Sequence, residues 1–181
     1  MDRTTFAKAL IETGAVQFGS FTLASGKTSD WYCDLKRALT RPDLLRHVAR
    51  EMAPHARGHA RIAGVELGAV PIAAAVALES GVPYLMVRKA AKEHGTKRGY
   101  EGELIAGDRV LFVEDVVTTA GTLTRSIETL RRDGAVIEET VAVVDREEGG
   151  REVLQALGVR LSAILTVGDV RRANTGGDTL K

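Results

Sequence analysis

Four successive apolar residues, Val110-Leu111-Phe112-Val113, run directly into two acids, Glu114-Asp115, and then into Val116-Val117-Thr118-Thr119-Ala120-Gly121-Thr122. The apolar run reads as a strand buried on both faces, the kind found in parallel sheets. The acids then stand at its carboxyl end, and the Thr/Gly segment opens a helix. Ligands of open α/β sheets bind at that end of the strands, where the next helix presents free N–H groups to an anion. Thr118, Thr119 and Thr122 add hydroxyls, and Gly121 permits close approach to a phosphate. The adjacent carboxylates suit sugar hydroxyls or a hydrated Mg²⁺. The ligand implied carries a phosphate, a polyol and a metal. A Walker loop is excluded, because no lysine follows the glycine in the required arrangement.

The surrounding pattern supports the same architecture. Residues 3–12 carry Phe6, Leu10 and Ile11 at helical spacing, with Gly14 as the stop. Short segments at 16–18, 21–23 and 31–35 suggest strands of a small flap. Thr40-Arg41-Pro42-Asp43 resembles a helix start, with Thr40 as the cap and Leu44, Leu45, Val48, Ala49 and Met52 as the apolar stripe. From residue 61 strands and helices alternate: strands at 62–65, 84–87, 109–113, 137–144 and 161–166, and helices at 70–78, after Gly121, and at 152–157. That alternation predicts a mainly parallel sheet flanked by helices, in one domain spanning residues 1–181. About 1–40 form a hood or flap, about 41–170 the α/β core, and 174–181 a fraying tail.

Composition narrows the function. A formal net charge of +1 over 181 residues gives no reason to expect nucleic-acid or membrane-surface binding. The single cysteine, Cys33, fits a reducing compartment, and no apolar run approaches membrane-spanning length. The expectation is a cytoplasmic soluble protein.

A second stretch, Val87-Arg88-Lys89-Ala90-Ala91-Lys92-Glu93-His94-Gly95, leaves a strand and enters a segment without apolar periodicity. Residues 90–107 show no convincing element, and glycines at 95, 99, 102 and 107 make them readable as a mobile lid. Cations on a lid suit a diphosphate leaving group.

These stretches together resemble the orotate phosphoribosyltransferases, of the type I phosphoribosyltransferase family. The residues that carry the resemblance are the acid-pair loop, Arg88-Lys89 followed by Lys92 and His94, Asp145-Arg146 at the end of a later strand, and Phe21-Thr22-Leu23-Ala24-Ser25-Gly26 in the flap. The likeness runs in consistent order over about residues 5–170 and implies the type I fold. It implies transfer of ribose 5-phosphate from phosphoribosyl diphosphate (PRPP) to orotate, giving orotidine 5′-monophosphate and diphosphate in pyrimidine synthesis. It also implies a homodimer with shared active sites and Mg²⁺ carried by PRPP, with no side-chain metal cage.

By the same resemblance Arg88, Lys89, Lys92 and His94 contact PRPP. Glu114, Asp115, Val116, Val117, Thr118, Thr119, Ala120, Gly121 and Thr122 hold its ribose and 5′-phosphate. Thr118 and Arg146 contact orotate, and Lys92, Asp115 and Glu114 are the catalytic candidates. A guanidinium fork suits a planar, oxygen-rich anion. Three positions depart from the family pattern: Ala120 stands for a loop glycine, Ala24 for a flap lysine, and Leu67-Gly68 for a Tyr-Lys pair. A positive φ at Ala120 would be strained, so a local change in the loop is expected there. The competing expectations are a regulator of this fold that binds PRPP or a nucleotide, and a phosphoribosyltransferase for a purine base. The absence of a basic stripe argues against the first, and Arg146 and the flap against the second.

Overall fold

The structure, a computed structural model, describes residues 1–22, 26, 28–89 and 99–175. A helix α1 (Arg3–Glu12) leads into a two-stranded antiparallel sheet, β1 (Val16–Thr22) and β2 (Thr28–Cys33). A short α2 (Lys36–Leu39) and α3 (Pro42–Met52) follow. The remaining elements alternate: β3 (Arg61–Val65), α4 (Ala69–Ser80), β4 (Tyr84–Val87), β5 (Tyr100–Glu101), β6 (Arg109–Val117), α5 (Gly121–Arg132), β7 (Val136–Asp145), α6 (Gly150–Ala156), β8 (Arg160–Thr166) and α7 (Val167–Thr175).

The large sheet has the order β5-β4-β3-β6-β7-β8, parallel throughout except for β5 against β4. Its centre obeys the period-two rule of strands. In β6, Leu111 and Val113 pack into a layer with α1, α3, α4 and α7, where Phe6, Val48, Ile72 and Val170 are buried. Val110 and Phe112 point the other way, against Leu123, Ile127 and Leu130 of α5 and Leu154 of α6. All four of these β6 side chains are fully buried, as a doubly covered strand requires.

The chain steps from β3 outward to β4 and then returns to the other side of β3 to lay down β6. The strand order therefore reverses between β3 and β6, which opens a crevice at their carboxyl ends. β3 makes its last pairing with β6 at Gly64 and Val113, whereas β6 continues to Val117 along β7. Glu114 and Asp115 thus overhang the end of β3 while still held by β7. The expectation that the strand stops at residue 113 is corrected: pairing of Val116 with Val144 and Val117 with Asp145 carries it four residues further.

Other boundaries differ for physical reasons. The segments expected at 16–18 and 21–23 fall, through Thr22, in one strand with a register shift between Phe18 and Phe21; residue 23 lies outside the described residues. Thr40 is not the cap of α3; its hydroxyl donates to the Arg37 carbonyl at 2.8 Å, closing α2, an element absent from the sequence reading. The stretch expected to lack structure contains β5. Asn174 and Thr175, expected in a fraying tail, close α7, and the rest of that tail lies outside the described residues. β2 is fastened to that last helix by a two-bonded ion pair, Arg171 to Asp30 at 2.7 and 2.8 Å.

Gly64 lets α4 start close against β3, since a Cβ there would overlap the Ala69 carbonyl and touch the Ala73 methyl. Gly64→Ala is expected to destabilise the protein by about 1–3 kcal/mol through overpacking. In urea unfolding the midpoint should fall with an unchanged slope; an unshifted midpoint would show that the β3–α4 contact yields freely.

Candidate active site

The crevice between β3 and β6 is a cleft of about 510 Å³. Its walls are the β3–α4 connection Val65-Glu66-Leu67-Gly68, the run from Glu114 to Leu123, and the side chains of Lys36, Lys89 and Arg125. The size suits a small-molecule ligand.

Its floor is the acid pair. Glu114 is largely enclosed, and burial raises its carboxyl well above the usual carboxylate range, with hydrogen bonding to Asp115 and the charge there adding to the effect. Asp115 turns back on its own chain, its Oδ1 accepting from Val116 N–H at 2.8 Å. Asp115 N–H in turn donates to Glu114 Oε1 at 3.3 Å. The pair therefore presents less negative charge than two free carboxylates, which matters in a site for phosphates. Gly68 faces this pair so closely that a Cβ would collide with the Asp115 carboxylate. The Glu66–Leu67 peptide at this corner is cis.

The anion pole is the start of α5. Its N-cap, Ala120, makes no side-chain hydrogen bond, so the first N–H groups of the helix stay directed at the cleft. Ala120 adopts φ 59°, ψ 11°. The loop keeps the left-handed turn with alanine in it, at a cost of about 1–2 kcal/mol. Ala120 thus takes the positive φ expected to be strained, and the left-handed position falls at Ala120 rather than at Gly121. Arg125, one turn into the helix, donates to Thr122 Oγ1 at 3.2 Å and adds positive charge beside the loop.

Arg146 adjoins the loop just before Thr118. Arg146 N–H donates to the Val117 carbonyl at 2.9 Å, which sets the end of β7 against the phosphate loop. The Arg146 side chain is nearly buried, lies 4.5 Å from the ring centre of Trp31, and pairs with Glu148 Oε1 at 2.8 Å. Its Nε has no hydrogen-bond partner among the described residues. Cys33 lies close enough to feel Arg146 and Asp115, but burial pushes its thiol up to about 12, so it packs without acting as a nucleophile.

Of the residues singled out from sequence, Lys89 and the whole run Glu114 to Thr122 line the cleft. Arg88 does not; it pairs with Glu101 at 2.8 Å across the β4–β5 edge. Arg146 stands outside the cleft wall, behind Thr118. Lys92 and His94 lie outside the described residues, as do flap residues Ala24 and Lys27. Sequence reasoning missed Lys36, Glu66 and Arg125. Arg125 was findable, three residues after Thr122 and so on the same helix face; no local pattern marks Lys36.

A phosphoribosyl transferase domain model matches residues 38–165. The chain is 44% identical over 164 residues to the orotate phosphoribosyltransferase of Methanosarcina acetivorans, covering 90% of this chain and 88% of that protein. The chain belongs to the orotate phosphoribosyltransferase family. Among solved structures it resembles orotate phosphoribosyltransferase from Aeropyrum pernix, at a TM-score of 0.84 and 35% identity over 95% of this chain and 99% of that one. It also resembles the Leishmania donovani UMP synthase at a TM-score of 0.84 and 36% identity; there it covers 98% of this chain and 39% of the longer one. The orotate phosphoribosyltransferase fold is thus the type I phosphoribosyltransferase sheet and crevice described above.

Proposed function

We propose that the protein transfers ribose 5-phosphate from PRPP to orotate, releasing diphosphate. The observation that carries this reading is one cleft that combines an uncapped helix start with an acid pair, with a nearly buried guanidinium just outside it on the residue whose N–H meets the Val117 carbonyl. The 5′-phosphate takes the N–H groups and hydroxyls of Thr118 to Thr122. Glu114 and Asp115 hold the ribose hydroxyls. A ring nitrogen of orotate gives up its proton, to solvent or to the departing diphosphate, and forms the bond to the anomeric carbon as the bond to diphosphate breaks, the leaving oxygen taking the electron pair. Positive charge grows on the ribose as this happens, and Asp115 lies where it can stabilise that charge. Thr118 and Arg146 orient the base, while Arg88, Lys89, Lys92 and His94 serve PRPP, with Lys92 steadying the departing charge. No covalent nucleophile is needed; alignment and electrostatics supply the rate.

Among the described residues no cluster of three or more His, Cys, Asp or Glu is suited to hold a metal ion. The two carboxylates, one of them disfavoured as an anion by burial, suit the water shell of Mg²⁺ brought in by PRPP better than direct ligation. When bound, that ion supplies charge neutralisation on the diphosphate.

We also place the second subunit of a homodimer on α4. The helix is apolar on nearly every side, and Leu78 on its outer face is 89% exposed, with Pro71 exposed about two turns earlier on the same side. A helix apolar all round calls for cover on both sides. No helix among the described residues is long and apolar enough to cross a membrane, so a bilayer-spanning role does not explain that face.

Incubation of purified protein with PRPP, Mg²⁺ and, separately, orotate, uracil, adenine and hypoxanthine tests the reaction. Nucleotide formation with orotate alone is expected; turnover of a purine in its place would overturn the base assignment, and PRPP binding without turnover would favour a regulator. The Arg146–Glu148 pair gives a finer test. Orotate must take Glu148's place on the guanidinium, so Glu148→Gln is expected to lower the orotate KM about 3- to 10-fold by removing an internal competitor. A raised orotate KM would instead make Glu148 an aid to binding.

A further inference from the structure

We infer that Lys36, delivered by the N-terminal hood, binds the diphosphate end of PRPP. The proposal rests on the PRPP reading above and adds a residue to it. Lys36 opens α2 directly after β2, and its ammonium is held by Asp34 at 2.7 Å at the wall of the cleft. Lys36 lines the same cleft as Asp115 and the β3–α4 residues Glu66, Leu67 and Gly68. The Asp115 charge favours its protonated form. The Asp115 carboxylate lies against Gly68, so the ammonium shares one cleft with the acid pair and the β3–α4 corner.

Charge balance makes that corner the weak point for an anionic ligand. Glu66, Leu67 and Gly68 offer no cation, and Glu66 is itself acidic, accepting from Lys89 N–H at 3.0 Å. PRPP has two anionic ends joined by a ribose. If the α5 start and Arg125 take the 5′-phosphate and the acid pair takes the ribose, the diphosphate falls at the corner. Among the described cleft-lining residues the remaining cations are Lys36 and Lys89, which flank the acid pair: Lys36 beside Asp115, Lys89 beside Glu114. An aspartate-anchored ammonium is a pre-oriented point charge that turns from Asp34 to a phosphate oxygen without leaving the cleft. Asp34 is then a positioning residue.

The test is calorimetric binding of PRPP, inorganic diphosphate and ribose 5-phosphate to wild type, Lys36→Gln and Lys36→Arg, alongside steady-state kinetics. Lys36→Gln should weaken PRPP and diphosphate about 10- to 100-fold, the loss typical of a charge-assisted contact. Ribose 5-phosphate binding and the orotate KM should stay within about twofold. Lys36→Arg should restore most of the PRPP affinity, and the unfolding midpoint should not move, because a half-exposed pair adds little stability. Asp34→Ala should cost PRPP a few-fold in the wild-type background and nothing further with Lys36→Gln. Unchanged PRPP affinity in Lys36→Gln, or an equal loss for ribose 5-phosphate, would overturn the assignment while leaving the reaction intact. A wild type that binds neither PRPP nor ribose 5-phosphate would instead sink the reaction itself.

Discussion

Asp115→Asn is expected to lower kcat by about 10²- to 10³-fold at saturating substrates, with the thermal unfolding midpoint close to wild type. The side chain is not part of either apolar layer; it overhangs the end of β3 and faces Gly68 and the cleft. Asparagine keeps its shape and its bond from Val116 N–H but removes the charge that opposes the cationic ribose. It also removes relief of another kind: without the Asp115 charge, Glu114 should ionise more easily, since that charge helps to raise it. Kinetics on a variant of verified fold decide the matter. Turnover within a few-fold of wild type would remove Asp115 from the chemistry.

Two inactive variants should together regain activity. Lys92→Ala and Asp115→Asn each damage every site of a homodimer if Lys92 reaches the neighbouring subunit's cleft. Dissociated, mixed and reassociated, half of the dimers would be mixed, each with one doubly damaged and one intact site. Activity should rise to about a quarter of wild type. Exchange of subunits verified by mass, with no recovery, would show that the lid serves its own chain. The exposed apolar face of α4 makes an independent check available, since Leu78→Asp should yield monomers on a sizing column.

The central layers were legible in the sequence because each strand there is covered on both faces, and apolar runs such as Val110-Leu111-Phe112-Val113 have few other readings. The end of the chain was harder, although the clue was present. Thr166 and Asp169 form a reciprocal cap: Thr166 N–H donates to Asp169 Oδ2 at 2.8 Å, and Asp169 N–H to Thr166 Oγ1 at 3.3 Å. The same Thr-x-x-Asp spacing at Thr40 and Asp43 misled, because α2 ends there and claims the Thr40 hydroxyl, while Asp43 pairs with Arg41 at 2.8 Å. A four-residue helix leaves no periodicity to read, so the pattern could not say which neighbour would use it. The phosphate loop was legible as a contiguous run. Lys36 was not, since it joins the cleft only through the way the hood folds over the core.

If Arg146 holds the base as proposed, its pair with Glu148 turns base recognition into an exchange reaction. The guanidinium is already neutralised and stacked on Trp31 before any base arrives, so an incoming base gains only the difference between its own anion and the glutamate it displaces. A carboxylated pyrimidine such as orotate can make that trade on nearly even terms and release Glu148 to water. An uncharged base of the same shape, such as uracil, has no anion to offer, and the glutamate stays where it is. Selectivity of this kind comes from what the empty site already holds, and it rejects a neutral pyrimidine without any steric clash.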